Sequence, residues 1–314
     1  MTARPVTVAM VVGFAVWLSG NSALASPSPQ TKRSKSDADI NAIGHRQIVH
    51  DTNFYSLDKE KVLGKQLSQE VERSSKLLND PVVTEYIGRV AQNVTKNSDA
   101  RLPITVQVID SDVVDAFTLP GGYLYINSGL LLRLNGEGEL ASLLARGIAH
   151  TALRSAAREA TKGEILQLAT IPLVLSPVNL TPAGWSMAIP LTELKARQED
   201  ELDADYFGVQ YLYKAGYDPT CYMVLVQRIW GDSSTKANKG AQVFSPFPPL
   251  AKRLKELQDE ISRILPPKDA AIVSTAEFDA LKERLAVLRS EGLELKRLAD
   301  GVEPDHPRPS LRHP

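Results

Sequence analysis

The chain has 314 residues, enough for one large domain or two small ones with a buried core. Hydrophobic residues make up 43% of the sequence and charged residues 23%, the composition of an ordinary globular protein. The net charge of −1 excludes a strongly basic or acidic protein, so we expect no nucleic-acid partner. The single cysteine, Cys221, excludes an internal disulfide and a cysteine-rich zinc site.

The N-terminus has the features of a secretory signal peptide. Arg4 precedes an apolar run at residues 6 to 18, and the sequence Ala-Leu-Ala at 23 to 25 matches a small-x-small cleavage site. A membrane anchor is the alternative, but the apolar run is short for a bilayer span. We therefore predict a signal peptide at residues 1 to 25, a polar and partly disordered linker at 26 to 52, and a periplasmic or secreted mature protein.

Helix and strand patterns are mixed along the centre of the chain. Alternating apolar residues predict strands at 104 to 109 and 123 to 127, with a tight Pro-Gly-Gly turn at 120 to 122 before the second strand. Longer helices are predicted from about Glu137 to Ala160 and from about Glu193 to Ala215. This mixture predicts an α+β fold, mainly helical with a small β-sheet.

Residues 165 to 191 are apolar but contain four prolines, which argue against a continuous transmembrane helix. A helical hairpin that covers the core or faces lipid fits the pattern better, so contact with a membrane through this segment stays open. Further along, Ser274 and Glu277 form a capping box for a helix within a predicted C-terminal helical extension at 266 to 300. Residues 301 to 314 are predicted to be a disordered tail.

The segment LLARGIAHTALR, at residues 143 to 154, raises the question of a protease site. Arg146 and His150 are four residues apart and therefore share one face of the predicted helix. A zinc protease of the HExxH type needs histidines at both positions, because this spacing aims two imidazoles at one ion. It also needs a glutamate beside the first histidine to activate water, and here Gly147 stands in that place. Taken alone, His150 is a single histidine on a core helix.

Four segments, in this order along the chain, point to a known family: DAFTLPGGYLYINSGLL, GELASLLARGIAHTALRSAARE, EDELDADYFGVQYLYKAGYDP and VFSPFPPLAKRLKEL. In them the chain resembles the family-48 zinc metallopeptidases, the HtpX, BepA and CAAX-prenyl-protease type. The resemblance covers residues 53 to 265, the predicted metallopeptidase-like domain, and implies a zincin-like fold. It also implies a zinc site that hydrolyses peptide bonds, with His150 and Glu201 as ligands and Asp205 as a carboxylate behind them.

The chain departs from this family where the chemistry depends on the side chain. The first ligand histidine corresponds to Arg146, whose guanidinium is always protonated and has only donors. The general-base glutamate corresponds to Gly147, which cannot accept a proton, and a histidine that often precedes Pro-Pro corresponds to Phe247. His150 and Glu201 are left as two vestigial ligands, where catalytic zinc usually has three protein ligands. We therefore expect no intact catalytic residue and no cofactor, with zinc bound only if the family function is retained.

From these departures we predict an exported, catalytically inactive pseudo-protease that binds peptides or envelope proteins. An extended peptide would bind by strand addition to a predicted edge strand, formed by Ala116, Phe117, Thr118 and Leu119. One alternative is an active zinc metalloendopeptidase with a rearranged metal site, for which His45 or His50 is the least implausible extra ligand. Another is a structural or interaction protein whose cleft is unused.

A metal-free site of this kind needs a substitute for the positive charge of the metal. Glu201 and Asp205 lie one helical turn apart, and two uncompensated carboxylates in a partly buried cleft are unfavourable. The planar guanidinium of Arg146 has five donors with which to engage carboxylates. We therefore predict an ion pair of Arg146 with Glu201, Asp205 or both, and His150 as a neutral neighbour. An arginine turned out into solvent is the alternative.

Overall fold

The computed structural model describes residues 34–49, 56–161, 191–236 and 247–299. Within those ranges the chain forms nine α-helices and one three-stranded sheet, which confirms the predicted α+β class. The helices are α1 (Leu57–Ser74), α2 (Pro81–Lys96), α3 (Ser128–Leu131), α4 (Glu137–Ala152), α5 (Ser155–Thr161), α6 (Leu191–Lys214), α7 (Thr220–Lys236), α8 (Leu250–Ile264) and α9 (Ala276–Ala299). The strands are β1 (Thr105–Ile109), β2 (Ala116–Leu119) and β3 (Tyr123–Asn127).

The sheet has the order β1-β3-β2, with β1 parallel and β2 antiparallel to the central β3. The predicted strands at 104 to 109 and 123 to 127 are present as β1 and β3, and β2 lies at an edge as predicted. Between β2 and β3, Gly121 and Gly122 have φ angles of 81° and 88°. Glycine adopts these left-handed values without the clash that a Cβ would cause, and the Pro-Gly-Gly turn therefore reverses the chain here.

Helix α1 packs directly on this turn. Gly64 allows the close approach, because a Cβ at that position would lie 2.0 Å from the carbonyl oxygen of Pro120. The buried carboxylate of Glu60, on the same helix, accepts a hydrogen bond of 3.4 Å from the backbone N–H of Gly121. These contacts hold the turn, and with it the end of β2, against α1.

Helix α4 lies at the centre of the core and packs against α2, α6 and α7. The prediction of one helix running to Ala160 is wrong, because α4 ends at Ala152, Arg154 has a φ of 56°, and a separate helix begins at Ser155. At the break, Nε of Arg154 donates to the Glu60 carboxylate at 2.7 Å. Apolar periodicity indicates which residues are buried, but it does not detect a single residue with a positive φ angle.

Residues 34–49 pack on the domain although they lie within the predicted linker. Arg46 is buried, and its guanidinium donates to Asp99 at 2.6 Å and to Oε1 of Gln210 on α6 at 2.7 Å. Ile48 belongs to the main hydrophobic core. The packed part of the chain therefore begins before residue 53.

The C-terminal extension also packs on the core, since α9 buries Phe278, Leu281 and Leu285. Among the described helices, none combines the length and the apolar character needed to cross a bilayer. The predicted signal peptide, the apolar segment apart from its last residue, and the C-terminal tail lie outside the described residues.

Candidate functional site

Helices α4 and α6 bring three of the sequence-predicted site residues together. Arg146 on α4 forms an ion pair with Glu201 on α6, through Nη2 and Oε2. Nε2 of His150, one turn further along α4, lies 3.6 Å from the other carboxylate oxygen of Glu201. That separation is too long for a hydrogen bond. All three side chains are mostly buried, so Arg146 points into the cleft and not into solvent.

Burial and charge in this cluster together favour an ionised Glu201 and a neutral His150. Burial is the largest single influence on Glu201 and would raise its pKa. The charge and hydrogen bond of Arg146, together with the charges of His150 and Arg253, outweigh burial and lower the pKa to about 2. For His150, burial is the largest influence and lowers the pKa to about 4; Glu201 opposes this shift, whereas Arg146 adds to it. A neutral imidazole beside an arginine–carboxylate pair is the arrangement that the sequence predicted.

Asp205, one turn after Glu201, pairs with a different arginine. Arg253 on α8 donates to both of its carboxylate oxygens, from Nε at 2.7 Å and from Nη2 at 2.8 Å. The hydroxyl of Tyr222 on α7 donates to the same carboxylate at 3.2 Å. Arg253 and Asp205 are almost fully buried. Of the two acids predicted as partners for Arg146, the structure therefore pairs Arg146 with Glu201, and Asp205 is neutralised from α8.

The indole of Trp230 on α7 lies beside both guanidinium groups. Its ring centroid is 4.2 Å from Cζ of Arg253 and 5.1 Å from Cζ of Arg146, distances at which a ring face attracts a cation. The ring of Phe247, at the position where the sequence resemblance implied a histidine, is 6.0 Å from the Trp230 ring, centroid to centroid. One aromatic side chain therefore joins the two ion pairs into a single cluster.

Gly147, at the general-base position, faces the sheet. A Cβ added there would lie 2.6 Å from Cδ2 of Leu124 on β3 and 3.4 Å from Oγ1 of Thr118 on β2. Leu124 is itself buried. The sheet takes the room that a side chain at residue 147 would need, so α4 packs closely on the sheet here.

The side chains present do not fit a catalytic zinc ion. His150 and Glu201 are two donors, and the carboxylate is already engaged by a guanidinium. Across the described ranges, no three His, Cys, Asp or Glu side chains are grouped as metal ligands. Of the two histidines considered as replacements, His45 is exposed on the N-terminal segment, and His50 lies outside the described residues.

The predicted peptide-binding residues form β2, packed between two helices. Thr118 faces Gly147 on α4, and Ala116 packs on the same main core. Phe117 and Leu119 lie in a second apolar cluster with Val71 of α1. Within the described part of the chain, no strand pairs with the outer edge of β2.

Sequence reasoning missed Arg253 and Trp230. The helical spacing of Arg253, Leu257 and Glu260 places all three on the buried stripe of α8. A charged residue within an apolar stripe is a signal that it has a buried partner. The partner itself is 48 residues away in sequence and could not be identified from that spacing.

Comparisons with known proteins show which sequences the chain is similar to. The family model for peptidase family M48 matches residues 81 to 261. The beta-barrel assembly-enhancing protease of Yersinia pestis is 27% identical over 227 residues, 69% of this chain and 46% of the relative. A putative protease of the same name from Vibrio cholerae is 28% identical, covering 68% of this chain and 46% of the relative. The mitochondrial metalloendopeptidase OMA1 of Schizosaccharomyces pombe is 27% identical over 216 residues, 66% of this chain and 62% of the relative. The chain spans about half the length of the bacterial relatives it matches.

Proposed function

Because the chain belongs to peptidase family M48, we propose that it uses the family fold to bind extended peptide segments and does not hydrolyse them. The family's zinc chemistry would require a water held by the metal and a base to take its proton. In the part of the cleft that the structure describes, neither a complete ligand set nor a base is available, so the proposed activity is binding.

The ion pair of Arg146 with Glu201 is the observation that carries this proposal. A guanidinium has only donors and keeps its proton, so it cannot replace a ligand histidine. Its positive charge instead compensates Glu201 in the absence of a metal. Arg253 provides the same compensation for Asp205. Both carboxylates of the cleft are then stable without an ion, which is what a non-catalytic member requires.

The edge strand β2 supports peptide binding. Its outer edge is available for main-chain hydrogen bonds within the described structure, and α4 and α1 hold its two faces. An extended segment that adds as a fourth strand gains main-chain hydrogen bonds without any catalytic group. The proposed binding residues are those predicted from sequence: Ala116, Phe117, Thr118 and Leu119.

We further propose that the partners are proteins of the cell envelope. Relatives named beta-barrel assembly-enhancing protease indicate a role with envelope proteins, which present unpaired strands before they assemble. The signal-peptide pattern at residues 1 to 25 fits export to the periplasm or beyond. Contact of residues 165 to 191 with a membrane belongs to the same proposal.

A pair of assays on the purified full chain tests this function. We expect no chelator-sensitive cleavage of casein, together with saturable binding of an unstructured peptide. A relative with an intact HExxH motif serves as the positive control for cleavage. Casein cleavage that chelator removes and zinc restores would favour the alternative, an active metalloendopeptidase with rearranged ligands.

A further inference from the structure

The outer edge of β2 has a limited set of free backbone groups. In the antiparallel pair of β2 with β3, the N–H of Asn127 donates to the carbonyl of Asp115 at 3.0 Å, and Phe117 is opposite Tyr125. Hydrogen-bonded and non-hydrogen-bonded pairs alternate along such a ladder. The odd-numbered residues of β2 therefore bond to β3, and the backbone groups of Ala116 and Thr118 face outward.

One of these outward groups is already occupied. Oδ1 of Asp115 accepts a hydrogen bond of 2.8 Å from the backbone N–H of Ala116. At the other end of the strand, residue 120 is a proline and has no N–H to donate. Of the outward donors at residues 116 to 120, only the N–H of Thr118 is without a partner within the described part of the chain. The outer edge therefore offers one complete donor–acceptor pair, at that residue.

We propose that Asp115 determines the register and length of the segment that β2 binds. The inference rests on the proposed strand addition and specifies its partner: a short extended stretch with one residue opposite Thr118. A longer bound strand would bring a second carbonyl oxygen to the backbone N–H of Ala116. That N–H already donates to the Asp115 carboxylate, which also repels the incoming oxygen. The residue thereby also protects the edge from pairing with long strands, a role that charged side chains at sheet edges commonly have.

The test compares two capped peptides of alternating threonine and valine, three and seven residues long, by fluorescence polarisation with the full chain. For the wild type we expect the two peptides to bind with similar affinity. For Asp115→Ala, the freed N–H of Ala116 should make the longer peptide bind about tenfold more tightly, the effect of one added hydrogen bond. Asp115→Asn keeps an oxygen that can accept from Ala116 and should resemble the wild type.

Thr118→Pro separates failure of this inference from failure of the proposed function. It removes the outward N–H without breaking the ladder to β3, and binding of both peptides should fall at least about tenfold. Thr118→Val keeps the N–H and is the matched control. If the wild type binds, Thr118→Pro abolishes binding and Asp115→Ala changes nothing, the role of Asp115 is wrong and strand addition stands. If no variant binds either peptide, or Thr118→Pro binds normally, strand addition to β2 fails and the inference fails with it.

Discussion

Arg146 on α4 and Glu201 on α6 form an ion pair in the cleft, at the two positions that the sequence resemblance assigns to zinc ligands. The carboxylate also lies 3.6 Å from His150, whose imidazole is neutral at physiological pH. Because the guanidinium has no acceptor atom, the pair is incompatible with a zinc ion bound to both residues. A cationic side chain therefore compensates the acid that a metal would otherwise compensate.

Removing Arg146 should destabilise the protein. Arg146→Ala leaves Glu201 as a mostly buried carboxylate without its ion-pair partner, and we expect the free energy of unfolding to fall by about 3 kcal/mol. Urea denaturation measures the change. Arg73→Ala is the matched control, because the pair of Arg73 with Glu70 is exposed on α1 and should contribute less than about 1 kcal/mol. Equal stability of the two variants would contradict the compensating role of Arg146.

Removing Arg253 should cost more than removing Arg146, since its pair with Asp205 is almost fully buried. Arg253→Met leaves an uncompensated carboxylate in the core, and we expect a loss of about 3 to 5 kcal/mol. Combining it with Asp205→Leu removes both charges, so the double variant should be more stable than Arg253→Met alone. A double variant less stable than the single one would show that Asp205 is stabilised by other groups.

The pH dependence of stability should carry a contribution from His150. Its pKa of about 4 in the folded protein lies below the ordinary value of 6.5, so the unfolded chain takes up a proton first as pH falls. Stability from the neutral imidazole is fully present above pH 6.5 and is lost as the pH falls towards 4. The pKa of Glu201 is lowered from 4.5 to about 2, so the stability that its ionised carboxylate contributes is lost as the pH falls from 4.5 towards 2.

The variant His150→Gln isolates the contribution of His150 to this pH dependence, because a glutamine side chain does not titrate. The melting temperature of the wild type, relative to this variant, should fall by several degrees between pH 7 and pH 4. A constant difference over that range would mean that His150 is not held neutral by its surroundings.

Restoring the family motif should need more than two substitutions. Gly147→Glu places its side chain where Leu124 lies, 2.6 Å from the position of a Cβ, and should destabilise the protein by about 1 to 3 kcal/mol. It should not restore proteolysis, since the first zinc ligand is still missing. Arg146→His with Gly147→Glu should increase zinc binding. Adding Leu124→Ala should relieve the clash, so that this substitution costs less stability here than in the wild type, where it only removes a buried side chain.

Zinc content and casein cleavage measure this repair. The triple variant with His150→Ala added is the control, and it should lose the gained zinc. If Gly147→Glu alone cleaves casein, the wild-type site must already hold a zinc ion, and the role of Arg146 as the substitute for a metal is wrong.

Much of the cleft could be predicted because its parts are local in sequence. The four-residue spacing of Arg146 and His150 fixes their shared helix face, and the acids at 201 and 205 are one turn apart. Once the resemblance placed these helices opposite each other, charge balance alone favoured a pair of Arg146 with an acid. The edge position of β2 followed from its short strand–turn–strand pattern.

The contacts that sequence reasoning missed join distant parts of the chain. Arg253 reaches Asp205 from a helix that is separate in sequence, and Arg46 packs the N-terminal segment against Asp99 and α6. Composition predicted a linker there because polar residues dominate, whereas a few buried contacts are enough to order it. The contact of Leu124 with Gly147 depends on how closely α4 approaches the sheet, which periodicity does not report.

The zinc content of the purified full chain, measured after growth with ample zinc and removal of loosely bound metal, tests the central claim most directly. We predict far less than one zinc ion per chain, unchanged by His150→Ala or Glu201→Gln. One zinc ion per chain that is lost in both variants would contradict the account, because it would show that the ion pair of Arg146 with Glu201 gives way to a metal site.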